Sequence, residues 1–123
     1  VTHIDFTQPY CEKLRQALIR AAAEAGIDAL ASATYGATQG PRLETAAEID
    51  RMERDGCDMV GMTGMPEAAL ARELELCYAT CAVVANRAAG RGRKPLSMKV
   101  IEANLKVGIM QVQRLLEHVI PMA

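Results

Sequence analysis

Residues 56–67, Gly-Cys-Asp-Met-Val-Gly-Met-Thr-Gly-Met-Pro-Glu, decide the fold class of this sequence. Glycine suits the end of a helix, so Gly56 is expected to terminate the charged segment that precedes it. Residues 58–62 predict a short buried strand, and Pro66 fits the first turn of a new helix. The pattern passes from helix to strand and back to helix, which is typical of an α/β domain.

The sequence before this stretch alternates in the same way. Pro9 suits the first turn of a helix with an apolar face, and Gly26 is the expected end of that helix. Residues 27–35 then predict a strand. Residues 38–42 predict a loop, because the Gly-Pro pair within them continues neither a helix nor a strand.

The next elements carry start and stop signals. Thr45 and Glu48 form a capping-box pattern, in which each side chain accepts a backbone amide, and they predict a helix to about residue 55. A second helix is expected over residues 66–76. Residues 78–86 are almost free of charge and predict a strand that is covered on both faces of its sheet.

The last part of the chain predicts a basic loop and a long helix. Residues 87–95 are rich in glycine and arginine, which favours a flexible loop. Ser97 is placed to cap an amphipathic helix, and Pro121 is placed to end it. Together the elements predict one α/β domain over residues 1–123, in which helices alternate with strands.

Composition limits the classes of function. The chain has 123 residues, half of them apolar, and a net charge of −1. Nucleic acids and anionic membrane surfaces both select a basic face, so we expect neither partner. The longest apolar stretch, residues 77–85, is far shorter than the roughly 20 residues that span a bilayer. The start of the sequence resembles no signal peptide, and we expect a cytoplasmic protein.

The four cysteines, at positions 11, 57, 77 and 81, do not follow a metal-binding spacing. No Cys-x-x-Cys pair is present, and histidine occurs only at positions 3 and 118, so we expect no zinc site. Reduced, mostly buried thiols are the simplest expectation for a cytosolic protein. A redox pair of Cys77 and Cys81 is a weak alternative, because residues four apart in a strand lie about 13 Å from each other.

Three strand ends carry unusual sequence. Ligands of open α/β sheets bind beyond the carboxyl ends of the strands. These ends are the loop around Gly40, the turn Met62-Thr63-Gly64, and the loop that begins at Asn86. We therefore expect the functional site at these three positions.

The same segments resemble the motifs of a known family. Residues 40–49, Gly-Pro-Arg-Leu-Glu-Thr-Ala-Ala-Glu-Ile, residues 56–73 and residues 82–86 are similar to motifs of the trimeric purine nucleoside phosphorylases and methylthioadenosine phosphorylases. Residues 3–10 match the methylthioadenosine branch. The likeness is collinear and covers essentially the whole chain. Family members are longer, and the glycine-rich phosphate turn and the Arg-His pair of their amino-terminal half are not present here.

The resemblance implies a fold and a reaction. It implies the carboxyl-terminal half of a nucleoside phosphorylase domain, with a three-layer α/β fold in which helices flank a mixed central sheet. The implied reaction is phosphorolysis of S-methyl-5′-thioinosine or a related 6-oxopurine nucleoside by a homotrimer, with inorganic phosphate as co-substrate and no cofactor. Two alternatives remain open: a 5′-methylthioadenosine phosphorylase, and a truncated chain that only binds purines or joins a trimer.

By this resemblance, Asn86 and Glu44 are expected to hold the base. In 6-oxopurine phosphorylases an Asn at the position of Asn86 bonds N7 and O6 of the purine, on which negative charge builds as it leaves the ribose. Glu44 is placed to accept the N1–H of a 6-oxopurine, which adenine lacks. Adenine-preferring relatives carry Asp at the first position and a second Asp where this chain has Ala88. From the residues alone, Asn86 also suits a strand-ending turn and Glu44 a helix start.

The resemblance also assigns the sugar and phosphate contacts. Met62 is expected beneath the ribose, and Thr63 is expected to offer its hydroxyl and its amide to phosphate. Further substrate contacts are expected from Leu43 on the purine face, Met98 at the 5′-methylthio group, Arg87 and Ala88 beside the base, and His3 in the 5′ region of a neighbouring subunit. Core packing is the alternative for the two methionines, and helix capping is a second role for Thr63.

Overall fold

The computed structural model describes residues 3–93 and 95–122. Helices and strands alternate through its first part, as the sequence predicts. The helices are α1 (Glu12–Glu24), α2 (Ala46–Arg54), α3 (Glu67–Glu73) and α4 (Met98–Val119). The strands are β1 (Tyr35–Ala37) and β2 (Met59–Gly61), and a 3-10 turn, Ile120–Met122, follows α4.

The described residues divide into two compact units. The first, the helical unit, contains residues 3–29, 64–82 and 111–122, with α1, α3 and the last turns of α4. The second, the sheet unit, contains residues 30–63, 83–93 and 95–110, with both strands, α2 and the first part of α4. All the expected site residues except His3 therefore lie in the sheet unit.

The described part of the chain forms a two-stranded sheet in which β1 and β2 run parallel, with Gly36 opposite Val60. Parallel neighbours need a crossover connection, which contains α2. Gly36 allows a close approach, because a Cβ at this position would lie 2.5 Å from Cε of Met52 in α2. Before β1, the amide of Thr34 donates to Oδ2 of Asp58 over 2.6 Å and continues the pairing.

Helix α2 begins and ends as its sequence predicts. The hydroxyl of Thr45 accepts the amide of Glu48 over 3.2 Å, and the carboxylate of Glu48 accepts the amide of Thr45 over 2.7 Å. At the other end Gly56 has φ +89°, and its amide donates back to the carbonyl of Glu53. The predicted capping box and glycine stop are both confirmed.

An ion pair ties the preceding loop to this helix start. Arg42 donates to both carboxylate oxygens of Glu48, over 2.8 and 2.9 Å. These bonds, followed by the bond from the Thr45 amide, lower the pKa of Glu48 from 4.5 to about 2. A carboxyl whose pKa is lowered by folding stabilises the folded state above its ordinary pKa, and this contribution disappears as the pH falls through the lowered value.

We therefore expect the stabilisation from Glu48 to vanish between about pH 4.5 and about pH 2. The Glu48→Gln variant keeps the shape of the cap but loses the charge. At pH values above about 4.5 its melting temperature should be lower than that of the wild type, and the two melting temperatures should converge as the pH falls towards about 2. The measurement is the melting temperature of both proteins at a series of pH values. Glu102→Gln, an exposed carboxylate of α4, is the control. A difference that stays constant with pH would contradict the assignment.

The helical unit contains a small apolar core. Three alanines of α1 pack against Leu115 and Val119 of α4, and all five are buried; the alanines are Ala17, Ala21 and Ala22. Their small side chains leave little volume between the helices, and burial of this apolar surface stabilises the unit. Arg114 of α4 donates to the carbonyl of Ala25 just after α1, which fixes the contact further.

A disulfide corrects the expectation that all cysteines are reduced. Cys11 and Cys77 are bonded, although 66 residues separate them. The amide of Cys11 donates to the carbonyl of Tyr78 over 2.7 Å, and the rings of Tyr10 and Tyr78 stack with their centroids 6.2 Å apart. Cys81 is exposed and free, so the alternative of a pair between Cys77 and Cys81 is wrong.

Two predicted strands are not formed as expected. Of residues 27–35, only Tyr35 belongs to a strand, and residues 78–86 contain no strand. A strand needs a neighbour for its backbone hydrogen bonds, and the partner that the described residues offer to β1 is three residues long. Val84 is 71% exposed rather than covered on both faces.

Two helices are shorter than their pattern predicts. Helix α1 begins at Glu12 rather than near Pro9, and ends at the predicted cap, Gly26, with φ +64°. Helix α3 ends before residue 76, because Glu75 adopts a left-handed conformation with φ +55°. No helix in the described ranges combines the length and the apolar character needed to cross a bilayer.

Candidate active site

The carboxyl ends of β1 and β2 lie side by side. Because the strands are parallel, the residues that follow Ala37 and Gly61 leave the sheet at the same edge. The amide of Thr38 donates to the carbonyl of Gly61 over 2.8 Å and joins the two exits. Two of the three predicted site segments, the loop around Gly40 and the turn Met62-Thr63-Gly64, therefore start from one place.

Thr38 also holds the carboxylate of Glu44. Its hydroxyl oxygen lies 2.9 Å from Oε1 of Glu44 and 3.3 Å from the carbonyl oxygen of Gly61, and it has one proton to donate. Glu44 is half-buried, and the described residues supply no hydrogen bond to its Oε2. The carboxylate is thus anchored at the strand exit through one oxygen, and the other oxygen is left for a ligand.

Met62 packs on the backbone of the loop around Gly40. A Cβ at Gly40 would lie 2.4 Å from Sδ of Met62 and 3.2 Å from its Cγ, and Gly40 has φ +64°. Both the space and the backbone conformation therefore favour glycine. Met62 is 36% exposed, so it combines this packing contact with surface that is open to solvent.

Thr63 is bound to the phenol of Tyr35. The amide of Thr63 donates to Oη of Tyr35 over 3.2 Å, and the two hydroxyl oxygens are 3.3 Å apart. The amide that the resemblance assigns to phosphate is thus already used, and the hydroxyl is left for that role. Helix α3 begins after Pro66 without a side-chain cap, so the capping role predicted for Thr63 is wrong.

Asn86 is half-buried and closes a turn, with Nδ2 donating to the carbonyl of Arg87 over 2.8 Å. A carboxamide has two N–H donors and one carbonyl acceptor. One N–H and Oδ1 of Asn86 therefore remain for a ligand. The turn role and the base-binding role that the sequence allows are compatible in one side chain.

A cleft of about 710 Å³ opens beside Asn86. The loop that follows Asn86 forms one wall, and the start of α4 forms the other. Among the residues that line it are Arg87, Ala88 and Arg93 from the loop, and Ser97, Ile101 and Asn104 from the helix side. Both apolar and polar groups thus line a space large enough for a nucleoside.

Helix α4 is packed firmly on the segment that carries Asn86. Nδ2 of Asn104 donates to the carbonyl of Ala85 over 2.7 Å. A Cβ at Gly108 would lie 2.2 Å from Cγ1 of Val83, so only glycine allows this approach. The cleft therefore has one wall whose position is fixed by helix packing.

The basic loop is anchored on α2. Arg91 pairs with Asp50 over 2.8 Å and with Glu53 over 2.5 Å, and a Cβ at Gly90 would lie 2.9 Å from Cβ of Ala46. Because α2 begins two residues after Glu44, this contact brings the loop that follows Asn86 to the helix that follows Glu44.

The structure gathers the predicted site residues of the sheet unit in two groups. Asn86, Arg87 and Ala88 line the cleft. Glu44, Met62 and Thr63 surround the exits of β1 and β2, and the described lining of the cleft does not include them. Simultaneous binding of one purine base by Glu44 and Asn86 stays a prediction.

Three further predicted contacts lie outside these groups. Leu43 is 50% exposed beside Glu44, and Met98 is 63% exposed at the first residue of α4, outside the described lining of the cleft. His3 is exposed in the helical unit. The exposure of Met98 argues against the core packing that the sequence left open for this residue. The substrate contacts of Leu43 and Met98 stay predictions.

Sequence reasoning did not find the residues that hold the site residues in place. Thr38 holds Glu44, Tyr35 holds Thr63, and Asn104 holds the backbone before Asn86. Each is a polar side chain within or beside an apolar run, and this contrast in polarity is the sequence signal that could have indicated them. The partners could not be read from the sequence, because the last two pairs lie 28 and 19 residues apart in the chain.

A carboxylate and a hydroxyl at the exits of two parallel strands, with a carboxamide beside a cleft, suit a ligand-binding site, and comparison with known families identifies the class. The sequence profile of the Phosphorylase superfamily matches residues 1–121, and the chain belongs to that superfamily.

Individual relatives carry more specific names. A protein named "Probable S-methyl-5′-thioinosine phosphorylase" from Pseudomonas syringae pv. tomato is 56% identical over 120 residues, which cover 98% of this chain and 49% of the relative. The 6-oxopurine nucleoside phosphorylase of Pyrococcus furiosus is 54% identical over 103 residues, covering 83% of this chain and 39% of the relative. The chain spans about half the length of the curated relatives it matches, or less.

A solved structure shows the same fold. The methylthioadenosine phosphorylase of Schistosoma mansoni in complex with adenine superposes with a TM-score of 0.93 at 26% sequence identity, over 99% of this chain and 49% of that one. The expected α/β phosphorylase fold is therefore confirmed for the part that this chain represents. The three layers and the mixed sheet stay predictions, because the described residues form only one parallel pair of strands.

Proposed function

We propose that the whole protein catalyses phosphorolysis of S-methyl-5′-thioinosine or a related 6-oxopurine nucleoside, releasing the base and a ribose-1-phosphate derivative. The carboxylate of Glu44 carries this proposal, because Thr38 holds it at the strand exit with one oxygen left to accept the N1–H of a 6-oxopurine. Relatives that are 54 and 56% identical and named for such substrates support it.

In the proposed reaction, phosphate attacks C1′ of the ribose as the bond from C1′ to N9 breaks. The electrons of that bond move onto the purine, so negative charge develops on the leaving base. A group that binds this charge more strongly than the neutral nucleoside lowers the barrier. The free N–H of Asn86 is suited to donate to N7 or O6 of the purine, the atoms on which this negative charge collects.

The remaining assignments follow the family resemblance. Met62 lies beneath the ribose, the hydroxyl of Thr63 binds phosphate, and Leu43 covers the purine face. Arg87 and Ala88 border the base, Met98 receives the 5′-methylthio group, and His3 serves a neighbouring subunit. We also propose that residues 1–123 form the carboxyl-terminal half of the domain in a cytoplasmic homotrimer. The exposed surface of Leu43 and Met98 supports their availability to a ligand.

Replacing Glu44 by Gln is expected to narrow the preference for methylthioinosine over methylthioadenosine about tenfold. A charged hydrogen bond is worth about 1.5–3 kcal/mol, and 1.4 kcal/mol corresponds to a factor of ten. A carboxamide accepts the N1–H of hypoxanthine less strongly, and by rotating it donates to N1 of adenine. The measurement is kcat/KM for both nucleosides with inorganic phosphate, and Glu73→Gln on the surface of α3 is the matched control.

The wild-type protein decides between the proposal and its alternatives. Faster cleavage of methylthioadenosine than of methylthioinosine would replace the 6-oxopurine assignment with a methylthioadenosine phosphorylase. Purine binding without any phosphate-dependent cleavage would replace the enzyme with a purine-binding protein.

A further inference from the structure

We infer that Tyr35 is a positioning residue, which orients Thr63 so that the hydroxyl of Thr63 donates its proton to phosphate. This inference rests on the proposed function. Tyr35 is the first residue of β1 and Thr63 follows the end of β2, so the contact joins opposite ends of neighbouring strands. The long phenol of Tyr35 bridges that distance.

The contact fixes the side chain of Thr63. Its amide and its hydroxyl both meet the same atom, Oη of Tyr35, at 3.2 and 3.3 Å. Thr has a β-branched side chain with few favourable χ1 angles, and a second hydrogen bond to the same phenol group selects one of them. Thr63 is exposed, so no surrounding core performs this selection.

The bond from the amide also favours one direction of the hydroxyl protons. A backbone amide is only a donor, so it occupies a lone pair of the Tyr35 oxygen and leaves the phenol proton to be donated. Oγ1 of Thr63 is the acceptor within reach. When the phenol donates to Oγ1, the Thr63 proton is free to point at a third group. A phosphate dianion offers only acceptor oxygens, so this direction suits phosphate, whereas the reverse direction would present lone pairs to an anion.

Gly61 provides the space for this arrangement. A Cβ at Gly61 would lie 2.2 Å from Oη of Tyr35 and 3.0 Å from its Cζ. Gly61 does not have a left-handed backbone conformation. The requirement for glycine therefore comes from the space that the phenol occupies and not from the backbone dihedral angles. The phenol therefore reaches Thr63 by passing directly over the backbone of β2.

The Tyr35→Phe variant removes the phenol oxygen and keeps the ring. We expect the KM for phosphate to rise about fivefold, the ratio that corresponds to the loss of about 1 kcal/mol from one hydrogen bond. The KM for the nucleoside at saturating phosphate should change by no more than about twofold. A twofold change corresponds to about 0.4 kcal/mol, which is under half of the energy of the lost hydrogen bond. Tyr10→Phe, a phenol of the helical unit, is the matched control.

A double-substitution cycle shows whether Tyr35 acts through Thr63. Thr63→Val removes the hydroxyl and retains the amide and the branched shape. Tyr35→Phe should have no further effect on the KM for phosphate in the Thr63→Val background. An equal effect in both backgrounds overturns the inference. Parallel rises of the KM for nucleoside and of the KM for phosphate, with a lower melting temperature, also overturn it, because they indicate a general loss of structure.

Direct phosphate binding separates failure of the inference from failure of the proposed function. Calorimetric titration of the complete protein with inorganic phosphate needs no turnover. Weaker binding by Tyr35→Phe, and by Gly61→Ala, which displaces the phenol, supports the inference even when no nucleoside is cleaved. Wild-type binding that neither variant changes overturns the inference and leaves the proposed reaction intact. A wild-type protein that binds no phosphate overturns both.

Discussion

Replacing Asn86 by alanine is expected to lower kcat for methylthioinosine phosphorolysis at least about a hundredfold. Removal of one donor that stabilises a developing anion costs a factor of about 10² to 10³ in other enzymes, because the loss falls on the transition state. The donor here is the N–H of Asn86 that its turn leaves free. The measurement is kcat at saturating methylthioinosine and phosphate, with Gln113→Ala, a surface carboxamide, as the control.

The turn role of Asn86 predicts a different pattern. Asn and Gly both suit turns, so Asn86→Gly should keep the turn while removing the carboxamide. We expect Asn86→Gly to lose as much activity as Asn86→Ala at an unchanged melting temperature. Activity restored by glycine would show that Asn86 acts only on the backbone.

Replacing Cys11 by serine is expected to lower the free energy of unfolding by about 4 kcal/mol. The disulfide closes a loop of 66 residues, and a cross-link of this span removes about that much chain entropy from the unfolded state. The measurement is denaturant unfolding of the complete protein under non-reducing conditions. Cys81→Ser, which removes an exposed free thiol, is the matched control and should leave stability nearly unchanged.

Peptide mapping without reduction tests the bond itself. A peptide pair joined through Cys11 and Cys77 is expected, and it should separate on reduction. Separate peptides with free thiols, together with an unchanged stability of Cys11→Ser, would restore the expectation of reduced cysteines.

Local signals explain the part of the fold that the sequence predicts. Thr45 and Glu48 are three residues apart, so the hydrogen bonds that start α2 are contained in one short segment. Gly26 and Gly56 likewise end their helices through bonds to the preceding turn. Such bonds do not depend on the rest of the protein, and a sequence pattern is sufficient to place them.

Strands and the disulfide depend on distant partners, and there the sequence is not sufficient. Residues 78–86 have the composition of a buried strand, but composition does not supply the neighbour that a strand needs. Cys11 and Cys77 have no recognisable spacing, because chain folding and not sequence distance brings them together.

The residues of the candidate site also differ in whether local sequence or distant partners determine them. Asn86, Glu44 and Thr63 are predicted as ligand-binding residues because each lies at or after the end of a predicted strand and matches a motif. The groups that hold them are contributed by other elements: Thr38 for Glu44, Tyr35 for Thr63, and the packed helix α4 for the segment before Asn86. Sequence reasoning therefore proposes residues that would contact a ligand and misses those that orient them.

The glycines of the sheet unit restrict how this site can change during laboratory evolution. Side-chain atoms already occupy the Cβ positions of Gly36, Gly40 and Gly61, at 2.5, 2.4 and 2.2 Å from Met52, Met62 and Tyr35. A side chain added at any of these glycines requires its neighbour to move, so variants that also carry a smaller residue at the partner position should be tolerated best. Libraries that vary each glycine together with its partner residue should therefore reach new substrate specificities that single-substitution libraries do not sample.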